Sequence, residues 1–187
     1  MFARSVMSDY NKLILWTGQK HCGKTTRVAE LVHTACNAGF DVAGLLAFSV
    51  YDGQKLVGFD VCDVRSKTCV PLARRGDAGG RFIFAQEGFA FGACVLASRA
   101  VQSADLVIVD EFGPLELSGK GWRKSVDRLV ASSDALILLV VRQELVRQVQ
   151  HLYANVPTQQ VAALKQGSID RVVNLLRVSR KVSGAAK

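Results

Sequence analysis

The sequence has no C-x-x-C pair, no clustered histidines, no internal repeat and no low-complexity segment. Its five cysteines, at 22, 36, 62, 69 and 94, form an odd and scattered set. That pattern argues against a disulfide framework or a structural zinc site, and for free thiols in a reducing cytoplasm. His21, His33 and His151 are equally isolated, so no metal ligand is assigned to them. No apolar run approaches the length of a membrane span: the longest, 135–141, suits a buried strand, and 1–12 lack the apolar core of a signal peptide. Acids are in deficit, with 16 Asp and Glu against 24 Lys and Arg and a net charge of +8. Such a surplus marks nucleic-acid or membrane binding when it is clustered. Here the basic residues are scattered, which argues against both. Only 171–187 forms a block, with five basic residues and no acid. It reads either as a contact for a protein partner or oligomer, or as a solvated helix face with a frayed end.

What is present starts with Gly18-Gln19-Lys20-His21-Cys22-Gly23-Lys24-Thr25, a G-x-x-x-x-G-K-T loop. An apolar run, 13–16, enters it, and Val28, Leu31, Val32 and Ala35 leave it at helical spacing. A polyphosphate needs a concave array of N–H donors, and Gly18 and Gly23 let the backbone approach closely and turn. The helix beginning near Lys24 adds its positive end. In this pattern Lys24 reaches the β- and γ-phosphates, Thr25 joins the Mg²⁺ shell, and Thr26 touches the α-phosphate. Gln19, Lys20, His21 and Cys22 supply the remaining loop backbone. Cys22 is either a redox-sensitive thiol in an electropositive loop or an ordinary loop residue.

The chain of 187 residues, 49% apolar, fits one domain. Gly39 ends the first helix, and two extended segments, 42–51 and 55–64, flank Asp52-Gly53, a hairpin signal. A third strand is expected at 68–72. This insertion is either a structural flap or a cover for substrate. Arg74, Arg75 and Arg81 lie in a flexible basic loop that either closes over phosphates or is simply solvated. A largely buried helix is predicted over 87–104.

The second informative stretch is Leu106-Val107-Ile108-Val109-Asp110-Glu111, an apolar run ending in acids. A central parallel strand reads this way when its carboxyl end faces a ligand crevice. Following a phosphate loop, Asp110 is placed to hold Mg²⁺ and Glu111 to deprotonate the attacking water. Glu116, in the following loop, reads as an outer carboxylate or water ligand of the same site. A helix over 122–131, a strand over 135–141 and a helix over 144–152 come next. Arg142, at the carboxyl end of that strand, is either a phosphate sensor or a capping arginine. Two short helices, 161–164 and 169–178, are predicted to close the chain.

The loop 18–26 and the stretch 107–117 together resemble the small P-loop nucleoside-triphosphatases typified by the cancer-related nucleoside-triphosphatase and its bacterial and archaeal relatives. The Asp-Glu-Phe-Gly-Pro-Leu-Glu-Leu run at 110–117 is the more discriminating part, since Walker A loops occur in many classes. Gly58-Phe59-Asp60 also fits the family's layout, and the similarity spans about 13–141. Phe112 and Leu115 depart from the family's usual aliphatic residues or methionine, and the region after Pro157 matches nothing placed. The resemblance implies a single α/β domain over 1–187. Its fold is a three-layer P-loop NTPase, with a central mostly parallel sheet and a β-hairpin insertion at about 42–73. It also implies slow Mg²⁺-dependent hydrolysis of ATP, GTP or other NTPs to NDP and phosphate, with Lys24 and Glu111 catalytic and Thr25 and Asp110 at the metal. No Asn-Lys-x-Asp segment follows the loop, so broad use of bases is expected. Two other readings stay open: a kinase for a nucleoside or other small acceptor, and a nucleotide-timed regulatory or metal-cofactor-delivery module.

Overall fold

Strand β1, Leu13–Gly18, is buried along almost its whole length because it lies inside a sheet covered on both faces. In the computed structural model, residues 12–76 and 80–185 are described, the last five by backbone alone. The expectations for the start of the chain, the middle of the basic loop and the end of the basic tail therefore fall partly outside the described residues.

After β1 come α1 (Lys24–Asn37), β2 (Val42–Asp52), β3 (Lys55–Asp63), β4 (Cys69–Arg75), β5 (Phe82–Phe84), α2 (Gln86–Leu96) and α3 (Arg99–Gln102). Then follow β6 (Leu106–Val109), α4 (Pro114–Leu117), α5 (Arg123–Ser132), β7 (Leu136–Arg142), α6 (Val146–Leu152), β8 (Thr158–Ala162) and α7 (Ser168–Ala185). The strands form one sheet in the order β5-β4-β3-β2-β6-β7-β1-β8. From β2 through β8 in that order, all pairings are parallel; β3, β4 and β5 extend the β2 edge antiparallel. The expected hairpin insertion thus grows out of the sheet, with β2 belonging to both parts.

Alternation along the central strands divides the core in two. Leu13, Leu15, Val107, Val109, Ile137 and Leu139 face one layer, with Val126 and Leu129 of α5 and Val149 of α6. Ile14, Trp16, Leu106, Ile108, Leu136 and Leu138 face the other, with Val28 and Leu31 of α1 and Val172 and Leu176 of α7. Three layers result. A strand buried on both sides needs apolar residues at every position, hence the unbroken runs in β6 and β7.

Four expectations are corrected. First, 87–104 is not one buried helix: Ser98 accepts a hydrogen bond from the Val101 backbone N–H and starts a separate turn, α3. In α2 only Gly88, Gly92 and Leu96 are buried. A Cβ on Gly92 would lie 2.4 Å from the Trp122 indole nitrogen, so the small residues are what let α2 pack closely. Second, 161–164 is no helix; it overlaps β8, whose register along β1 runs from Leu13↔Thr158 to Thr17↔Ala162. Only Val161 of this edge strand is buried, too short a signal to show its period. Third, a 3-10 turn, Gln143–Leu145, precedes α6, where a continuous helix over 144–152 was expected. Fourth, the cysteines are not all free. Cys62 and Cys69 face one another across β3 and β4 and form a disulfide, leaving Cys22, Cys36 and Cys94 as thiols. Their separation in sequence carries no motif; the antiparallel pairing alone brings them together.

Candidate active site

The loop between β1 and α1 closes tightly. A Cβ on Gly18 would sit 2.8 Å from the Cys22 sulfur, so a larger residue there would displace the Cys22 side chain. His21 and Gly23 take left-handed backbone conformations, with φ of 58° and 88°. Gly23 is the N-cap of α1 and has no side chain to satisfy the first N–H groups, which suits an anion. Lys24 is buried, and its Nζ donates to the Gln19 carbonyl at 2.7 Å, folding the side chain over the loop. Thr25 is half-buried, while Gln19, Lys20, His21 and Thr26 are exposed.

The Thr25 hydroxyl lies beside the Asp110 carboxylate, which is fully buried at the end of β6, and favours its charged form. That carboxylate also accepts the N–H of Ala47 at 3.1 Å and of Glu111 at 3.0 Å. Burial, and then the charge of Glu111, push its pKa up to about 7; the two backbone N–H donors and the Thr25 hydroxyl oppose this. A buried carboxylate beside a hydroxyl, both oxygen donors, suits a hard cation that would offset the cost of burying the charge. Among the described residues no three His, Cys, Asp or Glu side chains converge.

Glu111 has a φ of 64°, strained for a residue with a Cβ. Its neighbours explain the constraint. Asp110 N–H donates to Leu45 O and Phe112 N–H to Val140 O, and the Phe112 ring is buried against Tyr153. The chain kinks between them, and the Glu111 side chain stays partly exposed, its Oε2 3.7 Å from Arg142 Nη2. Arg142 in turn lies opposite Gly18 in the β1–β7 register.

Other expected members go elsewhere. Glu116 is buried and turned into its own loop, where its oxygens accept the N–H of Gly113 at 3.0 Å and of Trp122 at 3.3 Å. Burial raises its pKa, those hydrogen bonds opposing. It clamps the segment after Glu111, and its hydrogen bonds are spent there and not on Thr25 or Asp110. Arg74 bonds to Asp60 and to the Phe59 carbonyl; Arg75 donates to Leu56 O and lies over the Phe82 ring. Both belong to the antiparallel extension, β4 being five strands from β1 in the sheet order. The Arg81 carbonyl accepts from Gly76 N–H. In the basic C-terminal region, Arg180 pairs with Asp105 and covers Phe40. Two groups escaped the sequence reading, the Ala47 N–H that fixes Asp110 and the Gln19 carbonyl that holds Lys24. Backbone groups leave no residue-type signal.

A family profile described as NTPase matches residues 13–175. The nucleoside-triphosphatase THEP1 of Methanothermobacter thermautotrophicus is 32% identical over 142 residues, covering 73% of this chain and 80% of that protein. The nucleoside-triphosphatase THEP1 of Pyrobaculum islandicum is 29% identical over 131 residues, 67% of this chain and 72% of that one. Among solved structures, THEP1 from the hyperthermophile Aquifex aeolicus superposes with a TM-score of 0.66 at 18% identity, over 88% of this chain and 98% of that one. A human cancer-related nucleoside triphosphatase superposes with a TM-score of 0.62 at 21% identity, over 95% and 99%. These two likenesses concern the fold. The profile match continues past the 13–141 span of the motif resemblance, into α7.

Proposed function

This chain belongs to the NTPase family, and from that premise we propose that it hydrolyses nucleoside triphosphates to diphosphate and phosphate with Mg²⁺ and little selection of the base. The observation that carries the reading is the Thr25 hydroxyl beside the buried Asp110 carboxylate, with Glu111 as the next residue. It joins the phosphate loop to a carboxylate pair across the sheet.

In this reading the N–H groups of 19–25 and the start of α1 cradle the phosphates. Lys24 leaves the Gln19 carbonyl for the β- and γ-phosphate oxygens, exchanging a neutral acceptor for a charged one. Thr25 and Asp110 would hold Mg²⁺, which when bound would offset the negative charge of the polyphosphate. Glu111 takes a proton from the water whose oxygen bonds to the γ-phosphorus. The bond from that phosphorus to the bridging oxygen breaks, and the diphosphate leaves with the electron pair. Broad base use is supported by the lack of an Asn-Lys-x-Asp segment.

Phosphate release from ATP, GTP, CTP and UTP tests this, with Mg²⁺ and with EDTA, for the wild type, Lys24→Ala and Glu111→Gln. Turnover of all four nucleotides, lost with EDTA, is expected. Glu111→Gln should still bind nucleotide and lose about 10²–10⁴ in rate, whereas Lys24→Ala should lose triphosphate affinity. Equal rates for wild type and Glu111→Gln would remove Glu111 from the role of base. Phosphate release that awaits a small acceptor would favour a kinase.

A further inference from the structure

Strand β7 lies between β6 and β1, so its carboxyl end opens between the Asp110-Glu111 turn and the phosphate loop. The residue at that end is Arg142. Its backbone is opposite Gly18, the first loop glycine, and its guanidinium faces Glu111 at 3.7 Å. It stands at the N-cap of the 3-10 turn Gln143–Leu145 without capping it by a side-chain hydrogen bond. Capping is therefore not what holds its side chain. Arg142 and Glu111 are each about one-third exposed. At this separation and exposure the pair is weak and easily exchanged for a better partner.

We propose that Arg142 senses the γ-phosphate. Without a triphosphate, its guanidinium lies on Glu111 and occupies the carboxylate proposed as base. With a triphosphate, the guanidinium moves to the γ-phosphate oxygens, whose charge is larger and whose spacing matches two parallel N–H donors. Glu111 is then left to the attacking water, and its strained backbone keeps its carboxylate at the crevice. A diphosphate presents no γ-oxygens, so it leaves the Arg142–Glu111 pair in place. The base is thus engaged only when there is a bond to break. This inference rests on the nucleotide site proposed above and adds a residue to it.

Equilibrium binding separates sensing from a purely structural role. Adenosine and guanosine diphosphates and their non-hydrolysable imidotriphosphates would be titrated with Mg²⁺ into wild type, Arg142→Ala, Arg142→Lys, Glu111→Gln and the Glu111→Gln/Arg142→Ala double variant. Arg142→Ala should lose about 10- to 100-fold in imidotriphosphate affinity, the range for a charged hydrogen-bond partner, with diphosphate affinity within about twofold of wild type. Arg142→Lys should recover part of the loss. Glu111→Gln frees the guanidinium and should tighten imidotriphosphate binding about two- to fivefold, a gain absent from the double variant. Equal losses for diphosphate and imidotriphosphate in Arg142→Ala would overturn the proposal, and so would unchanged imidotriphosphate affinity. Wild-type protein that binds neither nucleotide would bring down the parent reading as well, an outcome distinct from triphosphate binding indifferent to Arg142.

Discussion

Asp110 shows how one residue can be costly to the fold and useful to a site. It is fully buried, and its pKa of about 7 lies well above the ordinary aspartate value of 3.8. The native protein therefore holds a proton that the unfolded chain has released between about pH 4 and pH 7. Unfolding releases that proton, so stability falls as pH rises through this window and is fully reduced above it. The size is on the order of a few kcal/mol. Urea unfolding without Mg²⁺ or nucleotide, at pH 5 and pH 8, should show wild type losing stability relative to Asp110→Asn as pH rises. The contribution of Glu116, also raised by burial, is common to both proteins and cancels. Parallel pH dependence in the two proteins would refute the assignment. Glu111 illustrates the limit of reading residue types: its acid is obvious beside Asp110, but nothing in the letter E announces a positive φ. The left-handed turn is imposed by Leu45, Val140 and the buried Phe112 ring on either side.

Among the elements, the segment from Gly113 to Trp122 carries the clearest division between site and support. Glu116 reaches two backbone donors, Gly113 and Trp122, and a Cβ on Gly121 would fall 2.1 Å from its Oε1. Trp122 is buried and also donates its indole N–H to Phe89 of α2 at 3.1 Å, tying α5 to α2. Glu116→Ala strands two buried donors and should cost about 2–5 kcal/mol. Thermal unfolding would measure it, alongside nucleotide affinity at a temperature where the variant stays folded. A small shift in Tm with a large loss of Mg²⁺-nucleotide affinity would mean that Glu116 serves the phosphates after all. Gly44, in β2, is a second element-scale constraint. Its φ is 121°, and a Cβ there would lie 2.0 Å from the Ile108 carbonyl oxygen. Gly44→Ala should push β2 from β6, disturbing the neighbouring Ala47–Asp110 hydrogen bond, and impair folding more than an ordinary core substitution.

At the scale of the whole molecule, the sheet has a parallel half that bears the 18–25 loop and Asp110-Glu111 and an antiparallel half that bears the Cys62–Cys69 disulfide. The disulfide's strand, β3, is four strands from β1, about 19 Å at ordinary strand spacing. Reduction should expose five titratable thiols where the oxidised protein has three. The small loop it closes supports a stabilisation of about 2 kcal/mol, read by urea unfolding with and without reductant. Nucleotide hydrolysis at a temperature where both forms are folded should be unchanged; a large rate change would show coupling between the two halves. Among the described residues no helix is long and apolar enough to cross a membrane.

The sequence by itself determined the glycine loop between β1 and α1 and the acids after β6. A loop of eight contiguous residues gets its shape from its own glycines, and a strand buried on both faces writes itself as an apolar run. It also showed the hairpin between β2 and β3, whose turn is local. Only the tertiary structure decided that Thr25 meets Asp110, that Arg142 lies against Glu111, that Glu116 turns into its own loop and that Cys62 faces Cys69. Apart from Glu116, each depends on which strands become neighbours, and strand order comes from packing summed over the whole core. Glu116 turned inward because two buried backbone donors needed an acceptor, a demand that appears only once the loop is folded. The residue types of the candidate site were legible locally because they are letters of the sequence; their assembly was not, because contacts distant in sequence leave no periodic trace.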